Sequence, residues 1–201
     1  FCFHVNQYLD VQKPSFVMRQ DRPGGEYLHI DYAGDTLSYV DVESGEEIKC
    51  QVFVAVLPAS DYPFFKAVPS QKVEDFLDGL QSALQFFGGV PKILVPDNLK
   101  AAVVKSDRYQ PEVNTILEDF ANHYGCVTLP ARAYKPKDKA NAEGSICRAY
   151  RRIYAPLRHQ QFFSLEDLNE AIDGLQKLFV QKRMQQIPFT REERFIAIDK
   201  P

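Results

Sequence analysis

Asp31, Asp97 and Glu143 are the residues of this sequence whose types and settings could do chemistry together. Asp31 lies within Glu26-Tyr27-Leu28-His29-Ile30-Asp31-Tyr32-Ala33-Gly34-Asp35. Read as a strand, this stretch sends Tyr27, His29 and Asp31 to one side and Leu28, Ile30 and Tyr32 to the other. Asp is depleted in strands, and burying its charge without a partner is costly, so something must compensate. A metal ion would do so, as would a buried arginine or a frayed strand end. Asp97 follows the apolar run Ile93-Leu94-Val95, at the carboxyl end of a strand where ligands of open α/β sheets gather, although an Asp there also caps turns. Glu143 falls about a turn into a helix expected from Asp138, where a solvated glutamate is also favoured by the helix dipole. Together the three are hard oxygen donors suited to Mg²⁺. Two such ions roughly 3.5–4 Å apart can hold the attacking and the leaving oxygen of a phosphoryl displacement.

Other chemistries find little support. Serines and histidines form no recognisable pair, and there is no glycine-rich phosphate loop. Cys2, Cys50, Cys126 and Cys147 are scattered, and His4, His29, His123 and His159 lack zinc spacing. Free thiols in a reducing cytoplasm are the expectation. No apolar run approaches the roughly 18 residues of a membrane span, and Phe-Cys-Phe-His-Val-Asn-Gln is no signal peptide. The opening without Met points to a piece of a longer protein. A chain of 201 residues with 45% hydrophobic and 12% aromatic residues can bury one sizeable core. Its net charge of −3 gives no global sign of nucleic-acid binding, so any such function must rest on local charge.

The elements that must position the three acids follow from periodicity. Residues 1–25 read as a connector, with two prolines and Gly24-Gly25 marking loop. Strands are expected over Glu26–Gly34, Thr36–Val42 and Ile48–Leu57, the first two joined by a Gly34-Asp35 hairpin turn and the last two by Glu43–Glu46. From Ser70, a plausible N-cap, Val73, Phe76, Leu77, Leu80, Leu84 and Phe87 recur at helical spacing as far as Gly88-Gly89. Lys92–Val95 reads as a buried parallel strand. A helix from Pro111 to Gly125 carries Val113, Ile116, Leu117, Phe120 and Tyr124, and Cys126–Leu129 is a fifth strand. A further helix runs from about Asp138 to Tyr154, and Ser164-Leu165-Glu166-Asp167 resembles a capping box opening another.

This order predicts an α/β fold: a mixed five-stranded sheet of ribonuclease H-like arrangement with helices on both faces. The first strand would lie centrally with the fourth beside it, which makes Asp31 and Asp97 neighbours. The expected organisation is a connector over 1–25, a catalytic core over 26–160 and a C-terminal helical extension over 161–201. Arg132, Lys135, Lys137, Lys139, Arg148, Arg151, Arg152 and Arg158 cluster against only Asp138 and Glu143. Such a stretch either holds nucleic-acid phosphates or forms a solvated helix face.

Longer motifs make a family resemblance specific. They are His29-Ile30-Asp31-Tyr32-Ala33-Gly34, Cys50–Leu57, Phe87-Gly88-Gly89-Val90-Pro91 and Val95-Pro96-Asp97-Asn98-Leu99-Lys100. Pro130-Ala131-Arg132, Lys135–Ala140, Glu143 and Arg152-Ile153-Tyr154-Ala155-Pro156-Leu157-Arg158 complete the set. The chain resembles, over about residues 12–195, the catalytic core of an IstA-type insertion-sequence transposase in the DDE and retroviral-integrase superfamily. The resemblance implies that Asp31, Asp97 and Glu143 are the catalytic, metal-binding triad. It implies Mg²⁺, with Mn²⁺ as substitute, held weakly without DNA. It also implies cleavage of transposon ends and joining of a 3′-hydroxyl to target DNA; the local charge of Arg132, Lys135, Lys137, Lys139, Arg148, Arg151 and Arg152 makes these the expected contacts to that DNA. A homo-oligomeric active complex, an IstB-type AAA+ ATPase helper, and a bacterial cytoplasmic, nucleoid-associated setting follow from the same likeness. A nuclease that only hydrolyses and a non-catalytic DNA-binding or assembly module are the alternatives.

Overall fold

A computed structural model describes residues 23–96, 103–105, 112–129, 151–185 and 187–200. In chain order it contains β1 (Tyr27–Tyr32), β2 (Leu37–Val40), β3 (Glu47–Leu57), β4 (Tyr62–Val68), α1 (Val73–Phe87), β5 (Ile93–Pro96), β6 (Val103–Lys105) and β7 (Glu112–Val113). There follow α2 (Thr115–Tyr124), β8 (Val127–Thr128), a helical segment 151–157, α3 (Leu165–Gln181), α4 (Arg191–Arg194) and a π-helical turn, Phe195–Asp199.

The sheet is mixed, as expected, and β1 lies centrally. It runs antiparallel to β3 on one side and parallel to β5 on the other, with β8 beyond β5. Two details of the strand reading are corrected. The sheet has six strands rather than five, because β4 also pairs with β3. Pro63 argues against a strand in the sequence, but β4 is an edge strand, where a missing N–H is tolerated. The second correction concerns the Gly34-Asp35 turn. β1 and β2 are both antiparallel to β3, so they run in the same direction and do not form a hairpin. Tyr32 faces Phe53 and Leu37 faces Cys50, so five steps along one strand match three along the other, in the manner of a bulge. The hairpins are β2–β3, turned at Gly45 (φ 71°), and β3–β4, turned at Asp61 (φ 60°).

The N-cap of α1 is Lys72 rather than Ser70; Ser70 Oγ accepts from the Lys72 amide and also bonds Asp75. It ends at Gly88 as the sequence predicts, with φ of 67°. Helix α2 starts later than expected. Asn114 caps it by accepting from Ile116 N at 3.0 Å, and Val113, read as helical, is paired instead in the β6–β7 ladder. Ser164 caps α3 by accepting from Asp167 N at 3.0 Å.

Alternation along β1 and β3 builds two cores. Leu28, Ile30 and Tyr32 with Phe53 and Ala55 face α1 and α2. Val52, Val54 and Val56 with Phe65 and Ala67 face segment 151–157 and α3. Helices therefore cover both faces. Helix α3 also closes the outer edge of β4. Asn169 accepts from Ala67 N at 2.8 Å and donates to its carbonyl at 3.0 Å, and Gln176, seven residues on, accepts from Phe65 N at 2.7 Å. Side chains two turns apart on one face of α3 thus reach alternate residues of the strand, and an edge that would otherwise template pairing is sealed. Among the described residues no helix is long and apolar enough to cross a membrane.

Candidate active site

Asp31 lies near the carboxyl end of the central strand. It is half-buried, and its cross-strand partner is Val54, part of the core beneath segment 151–157 and α3. The alternation read from the sequence therefore holds. Ile30 and Tyr32 enter the opposite core, and Asp31 takes the face shared with that helical segment. The Tyr32 amide donates to Asp31 Oδ1 at 2.8 Å, fixing one carboxylate oxygen against the backbone. The Tyr32 ring packs edge-on to Phe53 at 6.0 Å, and its phenol is pushed well above the usual tyrosine range by burial and by the nearby Asp75 charge. His29 is half-buried, opposite Val56 on β3 and Val95 on β5.

The strand carrying Asp31 is a rigid mount because ladders hold it on both sides. On the β5 side the last pair is Ile30 with Pro96. Asp97, the next residue of the sequence, lies outside the described residues. So do Glu143, Arg132, Lys135, Lys137, Lys139 and Arg148. Of the expected DNA contacts, Arg151 and Arg152 are described, and both are exposed on segment 151–157. That segment seats Ile153, Tyr154 and Leu157 in the core on Asp31's side of the sheet. Arg151 and Arg152 stand on the solvent side of that segment.

Asp31 suits a hard cation by the chemistry of its donor: a carboxylate on a rigid strand. Among the described residues no group of three His, Cys, Asp or Glu side chains could hold a metal. Two of the three expected ligands lie outside that set. Cys50 and Cys126 are buried free thiols, and burial raises both above the ordinary thiol range, which makes neither a nucleophile.

One participant was not singled out from the sequence. Tyr154 is 6% exposed, and its hydroxyl donates to the Asp35 carbonyl at 2.6 Å. Its place in Arg152-Ile153-Tyr154-Ala155-Pro156-Leu157-Arg158 was visible, but an aromatic at that spacing reads equally well as core.

No protein-family model matches the chain. Over all 201 residues it is 43% identical to a protein named putative transposase for insertion sequence IS408, from Burkholderia multivorans (strain ATCC 17616 / 249), and it covers 38% of that protein. It is 41% identical over 201 residues to the putative transposase for insertion sequence IS1162 of Pseudomonas fluorescens, covering 36% of it. The chain thus spans less than two fifths of the length of these relatives. Among solved structures, its fold matches the catalytic core domain of BIV integrase with a TM-score of 0.60 at 14% identity, over 87% of this chain and 95% of that one. It matches the HTLV-2 integrase catalytic core domain in complex with magnesium, trimeric form, with a TM-score of 0.60 at 13% identity, over 88% and 99%. The fold is therefore the α/β, ribonuclease H-like one of retroviral integrase cores.

Proposed function

We propose that this chain is the catalytic core of an insertion-sequence transposase of the IstA type, transferring phosphoryl groups between DNA strands. The observation that carries the reading is Asp31. It is a carboxylate near the end of the central strand of an integrase-like sheet, one residue beyond the Ile30–Pro96 pair that precedes Asp97 in the chain. Whole-chain similarity to proteins named transposases supports the same reading.

Asp31, Asp97 and Glu143 would hold the divalent cations, Mg²⁺ or in its place Mn²⁺. When bound, such ions supply Lewis-acid stabilisation of charge on the attacking and leaving oxygens. The reaction runs in two displacements without a protein nucleophile. Water forms a new bond to phosphorus at the element end as the P–O3′ bond breaks, which frees a 3′-hydroxyl. That hydroxyl then attacks a target phosphodiester, joining the strands and releasing a second 3′-hydroxyl. The task of the chain is to hold its carboxylates and the DNA in fixed relation. Arg132, Lys135, Lys137, Lys139, Arg148, Arg151 and Arg152 would grip phosphates, giving affinity without base reading. In this proposal residues 26–160 carry the chemistry, residues 1–25 lead from a separate DNA-binding region, and the helices beyond 160, expected as an extension, pack into both cores and brace the sheet. The full-length protein would act as a homo-oligomer on element-end and target DNA in the bacterial cytoplasm, with an IstB-type ATPase as helper.

The test is strand cleavage and joining by the full-length protein carrying Asp31→Asn, Asp97→Asn or Glu143→Gln. Each change keeps shape and removes a charged ligand, so each should abolish both steps while leaving the melting curve nearly unchanged. Near-normal joining by any one removes that residue from the site. A wild-type protein that cleaves but never joins is a hydrolytic nuclease instead.

A further inference from the structure

We infer that Tyr154 is a positioning residue of this site: its hydroxyl fixes the bulge that follows Asp31 and locks segment 151–157 to the strand carrying that acid. The inference rests on the catalytic reading of Asp31 given above, and deepens it.

The bulge is where the ladder between β1 and β3 is interrupted. Ala33 N still donates to Val52 O at 2.9 Å, and regular pairing resumes only at Leu37 with Cys50. Gly34, Asp35 and Thr36 between them are exposed. A backbone that leaves a ladder needs other partners for its polar groups. Tyr154 provides one, donating to the Asp35 carbonyl from a ring buried with Ala33, Leu37 and Val54. The bond spans 119 residues of sequence, so it is a tertiary tie and not a local turn.

Its position gives the bond consequence for chemistry. Asp31 Oδ1 is held by the amide of Tyr32, so the carboxylate follows the peptide that leads into the bulge. At the other end of the bond, Tyr154 belongs to the helical segment that in sequence follows Glu143 and exposes Arg151 and Arg152. A bond between these two elements sets the relation between the strand carrying Asp31 and the segment that exposes Arg151 and Arg152. Sites of this kind are sensitive to small displacements, since a shift of about 1 Å can cost up to a hundredfold in rate. Packing alone would not supply the same constraint. A phenylalanine ring fills the same core volume yet leaves the carbonyl of Asp35 without the phenolic donor.

The experiment compares wild type, Tyr154→Phe and Asp31→Asn in the full-length protein. Hydrogen–deuterium exchange reads the tie directly. In Tyr154→Phe, amides over 33–37 should exchange at least several-fold faster, while those of β4 and α1 stay unchanged. Strand joining should fall by between about tenfold and a hundredfold. The Mg²⁺ concentration for half-maximal rate should rise, and Mn²⁺ should restore part of the loss, neither of which a simple loss of stability produces. Unchanged exchange over 33–37, or unchanged rate and Mg²⁺ dependence, overturns the inference. Asp31→Asn separates the two levels. If it is inactive while Tyr154→Phe behaves as wild type, the catalytic reading stands and the positioning role falls. If Asp31→Asn retains joining, the catalytic reading falls first, and the exchange data alone then decide whether the tie exists.

Discussion

Removing the Arg191 guanidinium should cost this fold more than any surface substitution, and the structure sets the size. Arg191 Nε and Nη2 both donate to Asp61 Oδ2, at 3.1 and 2.9 Å, and the paired side chains are 8% and 13% exposed. The guanidinium also lies 4.2 Å from the centre of the Phe179 ring. Deleting one partner of a buried pair costs about 3–5 kcal/mol, because the remaining charge stays poorly solvated and has lost its ion-pair partner. The lost contact with Phe179 lies within that range and is not added to it, since the two interactions share one group. For a chain of this size the midpoint of thermal unfolding should drop by roughly 6–20 °C in Arg191→Ala. Arg191→Lys should fall between, keeping the charge but losing the planar fork and the ring contact. A double-mutant cycle with Asp61→Asn isolates the pair, since asparagine also tolerates the left-handed backbone at φ 60°. Coupling of at least about 1.5 kcal/mol is expected, as for hydrogen bonds to charged groups, and it should survive high salt because the pair is buried. Calorimetry or circular dichroism of the four proteins decides it. A loss below about 1 kcal/mol in Arg191→Ala, or a cycle additive within about 0.5 kcal/mol, refutes the reasoning.

Replacing Gln176 by Leu should cost about 1–3 kcal/mol in denaturant unfolding, because the Phe65 amide is left buried without an acceptor; a neutral result would mean that water or a shifted backbone replaces the side chain. Gly79→Ala should destabilise by about 1–3 kcal/mol despite better helix propensity, since an added Cβ would stand 2.7 Å from Phe53 Cγ in the fully buried core; a stabilised variant would show that the ring yields freely. Tyr62 is pushed up to about 12 from 10.0, chiefly by burial and further by Glu192, so the folded state holds this proton longer than the unfolded chain. Its contribution is complete below pH 10.0 and is lost as pH rises toward 12, so pH-dependent melts of wild type should fall more steeply there than those of Tyr62→Phe.

The fold class was legible because its signals are periodic. Val73, Phe76, Leu80 and Phe87 repeat at helical spacing, and Leu28, Ile30 and Tyr32 alternate with Asp31, so α1 and β1 follow from pattern alone. What the pattern hid was pairing partner and direction. Gly34-Asp35 has turn composition, yet a bulge uses the same residues as a hairpin, and only long-range register against β3 tells them apart. Strand β4 was obscured by Pro63, whose cost vanishes on an edge. The polar residues that seal that edge, Asn169 and Gln176, look in sequence like an ordinary solvated helix face. Asp31 stood out for the opposite reason: a charge in mid-strand breaks the local rule, and the structure does place it half-buried on the central strand. Tyr154 breaks no rule, so nothing in the sequence marked it.

Asp31 can occupy its costly position because the strand beneath it is fastened at both ends by residues distant in the chain. At the start of β1, Asp199 accepts from Gly25 N at 2.8 Å and from Ser60 N at 3.1 Å, joining the strand to the β3–β4 turn. A Cβ on Gly24 would stand 1.9 Å from the Ile198 carbonyl oxygen, so only glycine permits this approach. Arg194 donates to Ala59 O at 2.7 Å, and Phe195 stacks on Tyr62 at 4.4 Å, which presses the π-helical turn against the same corner. At the far end of β1 the Tyr154 hydroxyl holds the bulge. The helices beyond residue 160, expected as an extension, thus share the work of fixing the strand that carries the acid. A carboxylate on a loosely held strand could relax toward water and lower its own cost. One clamped at both ends keeps its place whether or not its partners are bound, and that preorganisation is what the proposed site, with hard cations and phosphates, would require.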